Sequence, residues 1–223
     1  MASLATVLTV LDLLSAALTL VIALGFARLW TRSRRALHLL FALGMGLVGA
    51  SFIVVGPSAF DIGEAPDLWD HLRLAGQTGG VLTILAAYWS SRATGQANPR
   101  TAIGFVLATM TILYALLYFV VPPAFTLPTR QMDFVVAHSI MAIAWAGCAY
   151  LALRRGGPPY TTERLLVPGA FLAFAVSKYS WLIIDIADDP GLAPLVYPWR
   201  FMGIFLMLLA FVLPPREAPN GPT

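Results

Sequence analysis

Seven runs of roughly 20 apolar residues dominate the chain and limit what it can fold into. They cover residues 4–26, 36–55, 68–89, 101–121, 134–153, 165–186 and 195–213. A helix of about 20 residues crosses the ~30 Å hydrocarbon core of a bilayer, and it satisfies its own backbone hydrogen bonds there. The pattern predicts an all-α integral membrane protein, a seven-transmembrane-helix bundle that forms a single transmembrane domain over residues 1–223.

Composition supports a membrane protein and argues against other classes. Hydrophobic residues make up 59% of the chain and charged residues 11%, which leaves too little polar surface to cover a water-soluble globule. The net charge is +3, but the basic residues lie in short clusters between the apolar runs, so nucleic acid is not an expected partner. The single cysteine, Cys148, lies inside an apolar run, which excludes a disulfide framework or dithiol chemistry within the chain.

The distribution of arginine predicts the orientation in the membrane, because short loops rich in Lys and Arg stay in the cytoplasm. Every second connector is basic, and the arginines there are Arg28, Arg32, Arg34, Arg35, Arg92, Arg100, Arg154, Arg155, Arg164 and Arg216. The other side collects acidic residues, namely Asp61, Glu64, Asp67, Asp70, Asp133, Asp188 and Asp189. We expect the N-terminus outside and the C-terminus in the cytoplasm, in a multi-pass protein of a prokaryotic plasma (inner) membrane.

Aromatic residues near the ends of the runs agree with these boundaries, because amphipathic rings prefer the headgroup region. They are Trp30, Trp69, Trp89, Tyr160, Tyr197 and Trp199.

The first three and the last three runs share a layout, which suggests a 3+1+3 parallel repeat. Residues 72–76 (LRLAG) match residues 199–203 (WRFMG) in the positions of arginine and glycine. Such repeats build transporters whose sites lie between the two halves. The alternative is that any two hydrophobic hairpins with acidic outer loops look alike.

Two ionisable residues lie inside predicted spans, where charges are costly and usually functional. Asp12 and Lys178, the only lysine, each lie eight positions from the predicted outer boundary, which is a depth of about 12 Å. An unpaired ammonium there would be costly or would lose its proton, so Lys178 needs a partner. Asp12 matches it in depth, and Asp185 is the alternative on the same helix face. The non-functional interpretation is a static ion pair or a lysine that reaches outward to the interface.

Other polar residues fall in the same outer half and predict a polar cavity open to the outside. His138, Gln77 and Ser51 lie within spans, whereas His71, Arg73 and Arg200 lie at the entrances of spans. His138 also fits a histidine that is simply hydrogen-bonded in the bundle. His38 lies near the cytoplasmic end, too far in depth from His138 for the two to share a metal or haem iron.

The acidic outer loops offer oxygen ligands for a hard cation, but acidic loops also arise where Lys and Arg are excluded, and no metal site is predicted. The motifs HExxH and GxSxG and the Walker loop are absent from the sequence. No catalytic residue is assigned, and no cofactor is indicated.

These observations favour a protein that binds a small ligand or ion in the outer half of the bundle, for transport or sensing. The predicted site residues are Asp12, Lys178, His138, Gln77, Asp185, Arg73 and Arg200.

The alternative is a non-catalytic subunit of a larger membrane complex. Small residues that allow close packing fit either role, namely Gly44, Gly46, Gly49, Gly76, Gly79 and Gly80. A third interpretation is an enzyme acting on a lipid or isoprenoid, with Lys178 and His138 as acid–base groups. Membrane lipid is the expected surrounding in each case.

Overall fold

The computed structural model of the protein is built from α-helices, and it describes residues 4–53, 68–94, 97–115, 129–156, 162–187 and 189–213. The helices in this part of the chain are α1 Leu4–Ser33, α2 Ala36–Ile53, α3 Leu68–Thr94, α4 Pro99–Ala115, α5 Thr129–Gly156, α6 Thr162–Ala187 and α7 Val196–Val212. A short 3₁₀ helix, Pro190–Leu195, precedes α7. No strand occurs among these residues. The predicted all-α membrane bundle is confirmed.

Several helices extend beyond the apolar runs that predicted them. α1 continues through Arg28 and Arg32 and ends at Ser33, just before Arg34 takes a left-handed conformation with φ 55°. Backbone hydrogen bonds continue past the apolar segment because arginine is a good helix former and reaches the headgroup region from a helix end. The connectors at residues 56–58, 122–123 and 157–159 lie outside the described residues, as do Asp61, Glu64, Asp67, Asp188 and Arg216.

Six of the helices form a closed ring. Each packs on its neighbours in the order α1, α2, α3, α5, α6, α7, and α7 returns to pack on α1. α4 lies outside this ring and packs on α3. The interior of the ring is therefore shared by six helices, and polar side chains placed there are shielded from lipid.

An aromatic layer fills the ring toward one end. Its members are Phe26 of α1, Phe41 of α2, Tyr88 of α3, Trp145 of α5, and Phe171 and Phe174 of α6, joined by ring contacts of 4.8–6.1 Å between centroids. Phe211 of α7 packs on Phe26 at 4.9 Å. Asp12 precedes Phe26 by 14 residues on α1, which separates them by about 21 Å along the helix axis. The polar residues described below lie toward the opposite end.

The two ends fix the direction of the ring helices. α1, α3, α5 and α7 run from the polar end to the aromatic end, and α2 and α6 run the other way. Arg155, at the end of α5, donates to Ser91 near the end of α3 at 3.0 Å, so these two helices are parallel. The first triplet, α1–α3, and the second triplet, α5–α7, therefore have the same up-and-down course.

The packing order agrees with the 3+1+3 arrangement expected from the sequence. The helices of the first triplet begin at residues 4, 36 and 68, and those of the second begin at residues 129, 162 and 196, so the spacing within each triplet is similar. α4 lies between them in sequence and outside the ring in space. Duplication of one ancestral unit remains a prediction.

In the part of the chain that the structure describes, five helices are long and apolar enough to cross a membrane: α1, α2, α5, α6 and a segment from Gly191 through α7. α3 is 27 residues long but rich in polar side chains, and the described α4 has 17 residues. Residues 77–84 of α3 are all buried. A helix enclosed by protein on every side does not need an apolar surface, which explains the composition of α3. The count of seven crossings and the orientation remain predictions.

Cytoplasmic reporter fusions test the orientation. A reporter that is active only in the cytoplasm should work when fused after Arg155 and fail when fused after Asp189, because arginine-rich segments stay inside. The described ends of α5 and α6 put these sites at opposite ends of the bundle. Activity at both sites, or only at Asp189, would show that the predicted orientation is wrong.

Glycines let α2 and α3 approach closely. A Cβ atom on Gly80 would lie 2.6 Å from the Gly44 carbonyl oxygen, and one on Gly44 would lie 2.7 Å from the Gly80 carbonyl oxygen. The adjacent Gly79 has no such neighbour, since a Cβ there would meet no atom within 4 Å. Such contacts between small residues hold membrane helices together by close packing.

Candidate functional site

A polar layer lies inside the ring near the end where α1 begins. Its members are Asp12 (α1), Arg73 and Gln77 (α3), His138 (α5), Lys178 and Asp185 (α6), and Tyr197 and Arg200 (α7). All seven site residues predicted from the sequence belong to this layer, and Tyr197 is added to them. Hydrogen bonds join these side chains into three groups, and Gln77 of one group lies one turn after Arg73 of another on α3.

Asp12 is the centre of the largest group, and its side chain is completely buried, with 0% exposure. Arg73 Nη2 donates to Oδ2 at 2.9 Å. Oδ1 accepts from Arg200 Nη1 and from the Tyr197 hydroxyl, the latter at 3.1 Å. The two arginines occupy the positions that match between the two triplets, so both halves of the bundle hold one carboxylate. A buried carboxylate with three donors is well satisfied.

The predicted pairing of Asp12 with Lys178 is wrong. Among the described residues, Lys178 Nζ hydrogen-bonds to Gln77 Oε1, and no ion pair joins it to Asp12. The alternative partner, Asp185, is instead bonded to His138. Equal depth in the membrane does not specify the direction in which a side chain projects from its helix. The long guanidinium groups at the entrances of α3 and α7 reach Asp12 instead.

The guanidinium group of Arg200 packs against two aromatic rings. Its guanidinium carbon lies 4.5 Å from the centroid of the Phe52 ring and 4.7 Å from that of the Tyr197 ring. Each contact of a cation with an aromatic face contributes about 0.5–2 kcal/mol, with the larger values where water is excluded. Nη1 binds Asp12, whereas Nη2 is buried with no hydrogen-bond partner. One end of a buried cation therefore has unused donors.

His138 and Asp185 form a second group. His138 Nδ1 lies 2.6 Å from Asp185 Oδ2, and the imidazole stacks on the Trp181 indole with 5.9 Å between ring centroids and 17° between ring planes. A carboxylate bonded to one ring nitrogen fixes the orientation of the imidazole and determines which nitrogen is left for other partners. This contact supplies the hydrogen bond expected of a histidine buried in a bundle.

Other residues considered in the sequence have local roles. Ser51 donates to the Val48 carbonyl of its own helix, and Asp189 accepts from the Gly191 amide at the start of the 3₁₀ helix. His38 lies 2.7 Å from the Ser33 hydroxyl at the other end of the bundle, far from His138. Within the described ranges, no three His, Cys, Asp or Glu side chains are grouped to hold a metal ion.

Tyr197 is the residue that the sequence analysis placed wrongly. We expected it at the membrane interface, where Trp89 and Trp199 are indeed exposed, but it is buried and bonds Asp12. Its position three residues before Arg200 puts both side chains on one helix face, and this spacing is the signal that identifies it. Phe52, which lies under Arg200, has no comparable signal in the sequence.

Comparison with known proteins does not identify the chain. No protein-family model, curated protein or solved structure matches it. The long apolar helices make it a polytopic membrane protein.

Proposed function

We propose that the protein binds a small ligand or ion in the polar layer, in the predicted outer half of the bundle, for transport or sensing. The observation that carries this proposal is the unpartnered Nη2 of Arg200, a residue only 3% exposed. Buried polar groups in proteins almost always have a partner, so an orphaned guanidinium nitrogen inside a membrane protein calls for one.

The aromatic layer supports access from one side only. Phe41, Tyr88 and Phe171 pack against one another between the polar layer and the far end of the ring. In this conformation a ligand would enter from the polar end, as expected for a sensor or for the outward-open state of a transporter. Transport would require the aromatic layer to rearrange.

The alternative of a structural subunit receives less support from the glycines. Gly44 and Gly80 contact each other within the chain, and Gly49 contacts Leu20 of α1. Gly44, Gly49 and Gly80 are therefore used in packing this bundle and are not evidence for docking on a partner, whereas a Cβ atom on Gly46 or Gly79 would meet no atom within 4 Å. No contact of Lys178 or His138 favours the lipid-modifying enzyme over ligand binding.

Mass spectrometry of small molecules that purify with the protein tests the proposal. The wild-type protein, purified from its native membranes in mild detergent, should retain a solute that is lost from Lys178→Gln and His138→Gln variants at equal amounts of folded protein. The control Arg32→Ala, at the opposite end of α1, should retain the solute. Stoichiometric protein partners without any retained solute would contradict the proposal and favour the subunit alternative.

A further inference from the structure

The polar layer has more hydrogen-bond donors than acceptors where Arg200 and Lys178 lie. An ammonium group carries three N–H donors, and Lys178 is bonded to the single acceptor Gln77 Oε1. The Arg200 Nη2 atom carries two N–H donors and has no acceptor. Asp12 cannot supply the missing acceptors, since its two oxygens already accept from Arg73, Arg200 and Tyr197. The unused capacity of Arg200 is on donors, whereas the hydroxyls of Thr78 and Ser177, next in sequence to Gln77 and Lys178, are buried without a partner and can donate or accept.

These donors belong to side chains that meet in the same part of the ring interior. Gln77, the partner of Lys178, follows Arg73 by one turn on α3, and Arg73 and Arg200 bond to the same carboxylate, Asp12. Two buried like charges repel strongly in a low-dielectric interior. The Lys178 and Arg200 side chains are both more than nine-tenths buried, so water does little to screen them. A negative charge between them would replace this repulsion with two attractive contacts.

The geometry of the donors also indicates the type of anion. A carboxylate or a phosphate group accepts several hydrogen bonds at once, and a guanidinium matches the planar arrangement of its oxygens. The Phe52 and Tyr197 rings pack against the Arg200 guanidinium, and its Nη2 atom has no acceptor, so Nη2 is the end left for a ligand. A group that approaches in the plane of the guanidinium fits this site.

We propose that the ligand of the polar layer is a small oxyanion, a solute bearing a carboxylate or phosphate group, bound between Arg200 Nη2 and Lys178 Nζ. This inference rests on the proposed function, because it names the class of ligand that the same site takes. Gln77 positions Lys178, and Asp12 with Tyr197 holds Arg200. His138 and Asp185 lie beside this pair of cations on the α5–α6 side.

Thermal unfolding of the full chain in phosphatidylcholine nanodiscs tests the class of ligand. The probes are acetate, benzoate, glutamate and inorganic phosphate, each replacing chloride at constant ionic strength. Acetamide and benzamide serve as neutral isosteres of the first two probes, and choline serves as a cation. We expect at least one oxyanion to raise the unfolding temperature in a concentration-dependent manner, with no effect from its neutral isostere.

Variants locate the binding site. Lys178→Gln and Arg200→Gln should each weaken the apparent affinity by roughly ten- to hundredfold, since each removes charge-assisted hydrogen bonds. Lys178→Gln removes a side chain whose bonded partner is neutral, and Arg200→Gln leaves Asp12 paired with Arg73, so both variants should fold. Arg154→Gln, an exposed residue on Tyr150 at the other end of α5, should bind like the wild type.

The outcomes separate the ligand class from the proposed function. Stabilisation by a neutral isostere or by choline, lost in the same variants, would overturn the oxyanion inference and leave ligand binding intact. Stabilisation only in nanodiscs containing phosphatidylglycerol would identify a lipid headgroup rather than a free solute, and would overturn the inference of a solute. If a folded wild-type protein responded to no probe and retained no solute on purification, both proposals would be wrong.

Discussion

Replacing Asp12 with asparagine should destabilise the protein by about 3–5 kcal/mol, because it leaves two buried guanidinium groups without a counter-charge. Arg73 and Arg200 both bond to this carboxylate, which is completely buried. The free energy of unfolding, measured by reversible denaturation in mixed micelles, is the quantity to compare.

A second substitution identifies the partner of Asp12. Adding Arg200→Gln to Asp12→Asn should recover part of the lost stability, since removing both members of a buried pair costs less than removing one. Adding Lys178→Gln should recover less, because Lys178 makes no direct bond to Asp12. A larger recovery with Lys178→Gln than with Arg200→Gln would show that the pairing expected from depth alone is correct after all.

The close contact between α2 and α3 gives the second large effect. Gly80→Ala should destabilise the protein by about 1–3 kcal/mol, because the new methyl group would lie 2.6 Å from the Gly44 carbonyl oxygen and 2.7 Å from a Val48 methyl group. The backbone on the facing helix cannot rotate away, so α2 and α3 must separate.

Gly79→Ala is the matched control on the same helix. Its methyl group would meet no atom within 4 Å, and replacing glycine with alanine inside a helix gains roughly 0.5–1 kcal/mol. The two variants should therefore move the free energy of unfolding in opposite directions. Equal effects would mean that helix propensity, rather than the contact with Gly44, governs this part of α3.

Most of the fold follows from the sequence because the bilayer imposes a strong constraint. Apolar runs of fixed length predict helices, and the observed bounds of α2 and α7 lie within a few residues of the predicted ones. The apolar runs do not predict that six of the helices pack as a ring. The ring depends on which faces of α3 and α5 meet, and apolar helices carry little sequence information about their neighbours.

The site was predictable as a set of residues but not as a set of bonds. Ionisable residues inside spans are recognisable in a sequence because burying them in a membrane costs free energy. For this reason Asp12, Lys178 and His138 were predicted correctly as buried. Their partners depend on rotation about the helix axis and on side-chain reach, and neither is read from depth. Arg73 and Arg200 were placed at span entrances, and their length carries their guanidinium groups inward to Asp12.

The enclosure of α3 has a consequence for how the protein is made. Arg73 and Gln77 lower the hydropathy of α3, so we expect this helix to insert alone less readily than the apolar helices of the bundle. Asp12 on α1 supplies the counter-charge to Arg73, and α4 packs on α3 outside the ring. If α3 crosses the bilayer, we expect it to insert together with helices synthesised before and after it, and we expect the Asp12–Arg73 ion pair to assist that step.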